Sequence, residues 1–231
     1  WVRRADVHPT LFPDQFKSVP DGLGVMRYQV QATFSGVSKV VSSPGLQEKS
    51  RLGISKKATK VTFIPDLKGW LGHLFALVNT PYIWGNYAHY ADDQWGSDCA
   101  DFIVAAWRRH GKKVEYTNSY GLRGRKYSQR GEAIKVGSVD DAHFYVDSSG
   151  SRIPIGPDNV QVGDVVFWPR HVGVLLKDAC IEGKTELLSP CTGNGFLDQS
   201  DLVIHTLFKP PTVEGIDEAY GTPEEILKPL W

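Results

Sequence analysis

The sequence predicts an α+β fold in which a cysteine-bearing helix packs on an antiparallel sheet that carries histidine. Three observations point to it. Ser97-Asp98-Cys99-Ala100-Asp101-Phe102-Ile103 opens a helix whose apolar residues recur at helical spacing. Val165-Val166-Phe167-Trp168 and His171-Val172-Gly173-Val174-Leu175-Leu176 read as two strands joined by a tight Pro169-Arg170 turn. Leu202-Val203-Ile204-His205-Thr206-Leu207-Phe208 is a further strong strand, with His205 inside its apolar run.

Residues 1–65 read as a small β-rich N-terminal module. Met26 to Phe34 is rich in β-formers, and Ser38 to Ser42 and Lys60 to Ile64 are shorter strand candidates. The clusters Val19-Pro20-Asp21-Gly22 and Ser43-Pro44-Gly45 mark turns between them. Residues 66–231 form the second unit. It begins with Leu67 to Val78, where Leu67, Trp70, Leu71, Leu74 and Leu77 suit one face of a helix. A dense aromatic stretch follows, from Tyr82 through Trp84, Tyr87 and Tyr90 to Trp95, which either lines a groove or packs a core.

In the cysteine helix, Cys99, Phe102, Ile103, Ala106 and Trp107 share a face. Asp98 is a good N-cap, Asp101 adds negative charge to the first turn, Arg108, Arg109 and His110 suit the last turn, and Gly111 is the stop. Glu115 to Asp158 is rich in glycine and charge and reads as long loops. Glu186 to Ser189 is a weak strand candidate.

Composition excludes several classes. Lys+Arg and Asp+Glu balance at 26 each, so the chain lacks the basic excess of a general nucleic-acid binder. No apolar run approaches the ~20 residues of a membrane span. The chain opens at Trp1, which reads as a processed or trimmed form, and no secretion signal is visible. Basic residues gather between Arg108 and Lys135, while the tail carries Glu214, Asp217, Glu218, Glu224 and Glu225. These are two solvated faces, or the basic stretch faces an anionic substrate. Of three cysteines, Cys180 and Cys191 flank a possible hairpin and either pair or remain buried thiols; at least one thiol stays free.

A thiol in the first helical turn lies where backbone N–H groups and the helix dipole favour an anion, although Asp98 and Asp101 oppose a thiolate there. Cys99 is thus a nucleophile or a small buried hydrophobe. His171 is a turn residue or the base that activates Cys99. His205 is a satisfied core histidine or the group that orients His171. A metal held by Cys99, His171 and His205 is a further option that no CxxC or HExxH spacing supports.

Pro81-Tyr82-Ile83-Trp84-Gly85, Ser97-Asp98-Cys99-Ala100-Asp101-Phe102, Val162-Gly163-Asp164-Val165-Val166-Phe167-Trp168 and His171-Val172-Gly173-Val174 resemble, in this order, the motif series of the NlpC-type cell-wall cysteine peptidases. The resemblance spans roughly Leu67 to Phe208. It implies a papain-like catalytic domain with Cys99 as nucleophile, His171 as base and a third polar residue as orienter. That third residue is taken as His205, with Ser189 and Asn194 as fallbacks. It further implies that Tyr82 lies beside the nucleophile and that Asp98 binds the free amine of a short wall peptide; Trp84 joins them as a substrate-binding candidate. Ala100 departs from the Ser common at its position, and Asn86 replaces a second Gly.

The implied reaction is hydrolysis of an amide in the peptidoglycan stem peptide, between D-Glu and diaminopimelate, outside the cytoplasm (periplasm, cell wall or secreted). It needs no cofactor and no metal. The partner is a stem peptide or muropeptide; nucleic acid and a membrane span are not expected. A papain-like amidase, deamidase or acyltransferase on another substrate is the alternative, and a non-catalytic wall-binding module is a third reading that the Cys/His set disfavours. Oligomeric state is left open.

Overall fold

The computed structural model describes residues 23–28, 31–33, 36, 40–43, 49–50, 53–54, 59–85, 88–128, 133–179 and 193–230. The N-terminal part holds β1 (Gly24–Tyr28), β2 (Gln31–Thr33), β3 (Val40–Ser42), β4 (Lys49–Ser50), β5 (Gly53–Ile54) and β6 (Thr59–Phe63). Four helices follow, α1 (Leu71–Leu74), α2 (Ala88–Asp92), α3 (Cys99–Arg109) and α4 (Ser119–Leu122). Then come β7 (Ile134–Lys135), β8 (Ser138–Val139), β9 (Tyr145–Val146), β10 (Val165–Trp168), β11 (His171–Lys177), β12 (Leu202–His205) and β13 (Thr212–Gly215), and finally α5 (Ile216–Tyr220) and β14 (Glu225–Leu227). Helix and antiparallel sheet are mixed, the α+β class that the sequence indicates.

A six-stranded antiparallel sheet in the order β13-β12-β11-β10-β14-β7 is the centre of the molecule. Strand alternation gives it two apolar faces. Val165, Phe167, Val172, Val174 and Ile204 pack against α1 and α3. Val166, Trp168, Leu175 and Val203 pack on the other side with Tyr145 and Ile216. The two-residue turn at Pro169-Arg170 sets Trp168 opposite His171, and the next register sets Gly173 opposite His205. Both histidines therefore stand on neighbouring strands.

Helix α3 forms where the sequence places it. Asp98 accepts from the Ala100 and Asp101 N–H groups at 3.0 and 2.9 Å, and Gly111, at φ 84°, takes the left-handed conformation that ends the helix. The helix is buried from Cys99 to Trp107, not only on the face read from the sequence. Each large apolar side chain there, such as Phe102 or Ile103, is worth about 1.5–3 kcal/mol of burial.

Several expectations are corrected. The helix expected over Leu67 to Val78 shrinks to α1 and a 3₁₀ turn at Phe75–Leu77. Trp70, Leu74 and Leu77 make the buried stripe, while Leu67 is exposed and lies outside it. The region read as loops contains α4 and β7 to β9. The last strong strand stops at His205, because the Thr206 hydroxyl donates to the Lys209 carbonyl at 2.7 Å and turns the chain. The acidic tail supplies β13, α5 and β14, none of them anticipated.

In the N-terminal part, β1 and β6 pair with each other. They are fastened to the segment after α1: Val25 N–H donates to Val78 O at 2.9 Å, Arg27 to Asn79 O at 2.9 Å, and Gln94 bridges Thr62 and Ala76 O at 2.7 Å each. Val25 is fully buried by this contact. Cys180, Cys191, Ser189, the Glu186–Ser189 strand, Tyr87 and the Val19–Gly22 turn lie outside the described residues. Among the described residues, no helix is long and apolar enough to cross a membrane.

Candidate active site

Cys99 is the first residue of α3, a free and buried thiol. Opposing effects act on it. Burial pushes the thiol up, the Asp98 carboxylate pushes it further, and the N–H groups of Val172, Ala100 and Cys99 itself pull it down. Burial wins, and the thiol is pushed up to about 12. The Val172 amide belongs to β11, so the sulfur rests against the strand one residue from His171.

Asp101 corrects a sequence expectation. It is 1 % exposed and neither carboxylate oxygen has a hydrogen-bond partner. Burial, reinforced by Asp98, pushes its carboxyl up to about 8, so at neutral pH it is mostly protonated and adds little charge to the first turn. Burial raises the Asp98 carboxyl above its usual range, and the N–H groups of Asp101, Ala100 and Gly85 pull against that rise.

His171 and His205 are both fully buried. His171 Nε2 and His205 Nδ1 lie 2.7 Å apart, with the rings edge to face. Trp168 stacks on His171 at 5.3 Å, held by its own Nε1–H donation to Gly221 O at 2.7 Å. Gly173 makes the pairing possible. A Cβ there would come within 3.1 Å of His205 Cβ and 3.4 Å of the Trp168 ring. Burial, then His205 and Lys209, push His171 down to about 3, so the ring is neutral.

The structure thus joins His171 to His205 directly. It does not join Cys99 to His171 by a hydrogen bond: alternation turns Val172 toward α3 and His171 toward Trp168, and His171 Nδ1 is buried with no partner. The two groups share one end of β11 as a neutral thiol and a neutral imidazole. Asn194, a fallback orienter, has its amide committed to Asp198 at 2.5 Å and to the Phe196 N–H at 2.9 Å.

Tyr82 is held beside α3 by a bridge to Ser97, with Ile83 N–H donating to Ser97 O at 3.0 Å. Burial and the nearby Cys99 and Asp98 raise its hydroxyl pKa. Trp84 is 81 % exposed, which rules out core packing for it. Its neighbour Gly85 donates to Asp98. Two aromatics that the sequence did not single out as site residues join these surroundings: Phe208, 80 % exposed and 5.3 Å from the Tyr82 ring, and Tyr116, pushed up to about 12 by burial and by Asp101, Asp98 and Cys99. Part of the basic stretch is spent within the molecule. Arg108 binds Asp92 at 2.9 Å, Arg123 binds Glu224 at 2.7 Å, and Lys135 pairs with Glu225.

Among the described residues, no group of three or more His, Cys, Asp or Glu is arranged to hold a metal ion. The chain matches no protein-family model, and it has no significant match among curated proteins.

Proposed function

We propose that this chain is a papain-like cysteine hydrolase of the NlpC type that cleaves an amide in peptidoglycan stem peptides, the D-Glu–diaminopimelate bond first among them. The observation that carries the reading is the oriented imidazole: His171 is fixed through Nε2 by His205, and its other nitrogen is buried and unpartnered at the end of the strand that the Cys99 sulfur touches.

The chemistry follows from those protonation states. Cys99 Sγ attacks the carbonyl carbon while its proton passes to His171 Nδ1. The Cys99 N–H at the head of α3 and the Tyr82 hydroxyl stabilise the oxyanion. His171 gives the proton to the leaving amine, and the acyl-enzyme forms. Water, deprotonated by His171, then releases the acid and the proton returns to sulfur. Trp168, His205 and Tyr220 hold the His171 ring on the face of β11 turned away from α3, so the first step requires Sγ and Nδ1 to be brought together around the end of that strand. In this reading Asp98 takes the substrate amine and Trp84 packs on the peptide. No cofactor enters, and the substrate locates the reaction outside the cytoplasm.

A second reading, acyl transfer to an amine by a related amidase or transferase, is favoured by the burial of Cys99, which is 8 % exposed. Incubation with purified muropeptides and mass analysis of the fragments tests both. Hydrolysed stem peptides are the expected products. Products that form only with an added amine acceptor would move the assignment to transfer. Cys99→Ala is expected to lower turnover by on the order of 10³-fold or more with the fold intact; parent-like turnover would remove Cys99 from the mechanism.

A further inference from the structure

The hydrogen bonding does not end at His205. Its Nε2 lies 2.6 Å from Glu214 Oε1, and Lys209 Nζ lies 2.8 and 2.6 Å from the two oxygens of the same carboxylate. Glu214 stands on β13, opposite Val203 and diagonal to His205 across the ladder, so register and alternation bring it to the same face. A row of four side chains, His171, His205, Glu214 and Lys209, runs from buried ring to exposed ammonium.

We infer that Glu214 is a positioning residue: it fixes the tautomer of His205, and through it makes Nδ1 of His171 the nitrogen that accepts the thiol proton. With His205 neutral, the hydrogen bonds leave one arrangement. The carboxylate, paired with the Lys209 ammonium, has no proton to give, so His205 Nε2 donates. Neutral His205 then offers a lone pair at Nδ1, and His171 Nε2 must donate to it. Neutral His171 is left with its lone pair at Nδ1, the buried atom without a partner. The opposite tautomer would put a proton on Nδ1 and abolish the base. This assignment rests on the reading of Cys99 and His171 as nucleophile and base.

The test has two arms on the full chain. In the first, long-range ¹⁵N–¹H correlation spectra of the wild-type histidine rings at pH 7 give the tautomers without any substrate. The expected result is a proton on Nε2 of both His171 and His205; a proton on His171 Nδ1 overturns the assignment. In the second, Glu214→Leu removes the acceptor and Glu214→Gln keeps one. With a disaccharide-tetrapeptide muropeptide, the Leu variant is expected to lose on the order of 10²-fold or more in kcat with KM changed less than about threefold, as for other orienting acids. The Gln variant, whose amide can donate to His205 Nε2 and force the opposite tautomer, is expected to lose at least as much. Parent kcat in either variant overturns the assignment. If the wild-type protein cleaves no muropeptide, the hydrolase reading fails, while the spectra still decide the role of Glu214.

Discussion

A methyl group at position 173 would meet three neighbours that have little freedom to yield. Gly173→Ala places Cβ 3.1 Å from His205 Cβ, 3.2 Å from Ile204 O and 3.4 Å from Trp168 Cζ3. The Ile204 carbonyl is fixed by the β11–β12 register. His205 is bonded at both ring nitrogens, at 2.7 and 2.6 Å, and Trp168 is tied to Gly221 at 2.7 Å. Overpacking of a rigid site of this kind costs about 1–3 kcal/mol. For a domain of this size each kcal/mol lowers Tm by about 2–4 °C, so a fall of about 2–12 °C is expected. Urea unfolding followed by tryptophan fluorescence gives the free energy, and a thermal melt gives Tm. The displaced atom is His205 Cβ, so the His171–His205 bond should lengthen and turnover should fall further than stability explains. A variant within about 0.5 kcal/mol of the parent, with the histidine ring signals unmoved, would refute the claim that this glycine makes room for the pair.

Three further outcomes follow from the site. With its thiol pushed up to about 12, Cys99 is a thiolate to about 10⁻⁵ at pH 7, against about 3 % for an ordinary cysteine. Alkylation by iodoacetamide should then be roughly 10³-fold slower than for a free thiol and climb about tenfold per pH unit up to pH 10; a plateau between pH 5 and 8 would mark a resting thiolate–imidazolium pair instead. Asp98→Asn keeps an N-cap but removes the charge beside the sulfur, so alkylation at pH 8 should quicken while stability changes little, whereas Asp98→Ala should also lose about 1 kcal/mol in urea. An unchanged alkylation rate in the Asn variant would remove Asp98 from the thiol's environment. Finally, His171→Ala should cost more turnover than His205→Ala, since an orienter is more dispensable than a base; the reverse order would exchange the two roles.

What the sequence disclosed depends on how local each signal is. Helix α3 was legible because cap, apolar spacing and stop residue all fall within one short stretch, from Asp98 to Gly111. The β10–β11 hairpin was legible because its turn is two residues long. Strands β13 and β14 were not. Thr212 to Gly215 and Glu225 to Leu227 are too short to show a period, and β14 pairs with β10, far away along the chain. Glu214 was hidden for the same reason: its partner is chosen by strand register, and its neighbours in sequence are ordinary tail residues. Asp101 failed differently. Residue type indicates a charge, and only the depth of α3 reveals that the carboxyl keeps its proton. The basic stretch kept its partners hidden, because Arg123 and Lys135 meet the tail acids only once β14 and β7 are side by side.

The insertion of β14 between β10 and β7 has a consequence for how the molecule is made. Val165 to Trp168 is synthesised well before Glu225, so β10 has a bare edge until that late segment arrives. During that interval the strand offers unpaired amides and carbonyls to any extended peptide nearby. Closure of this seam therefore waits for Glu225 to Leu227, and it brings Glu224 to Arg123. Until then the hairpin that presents His171 lacks its neighbour on the β10 side.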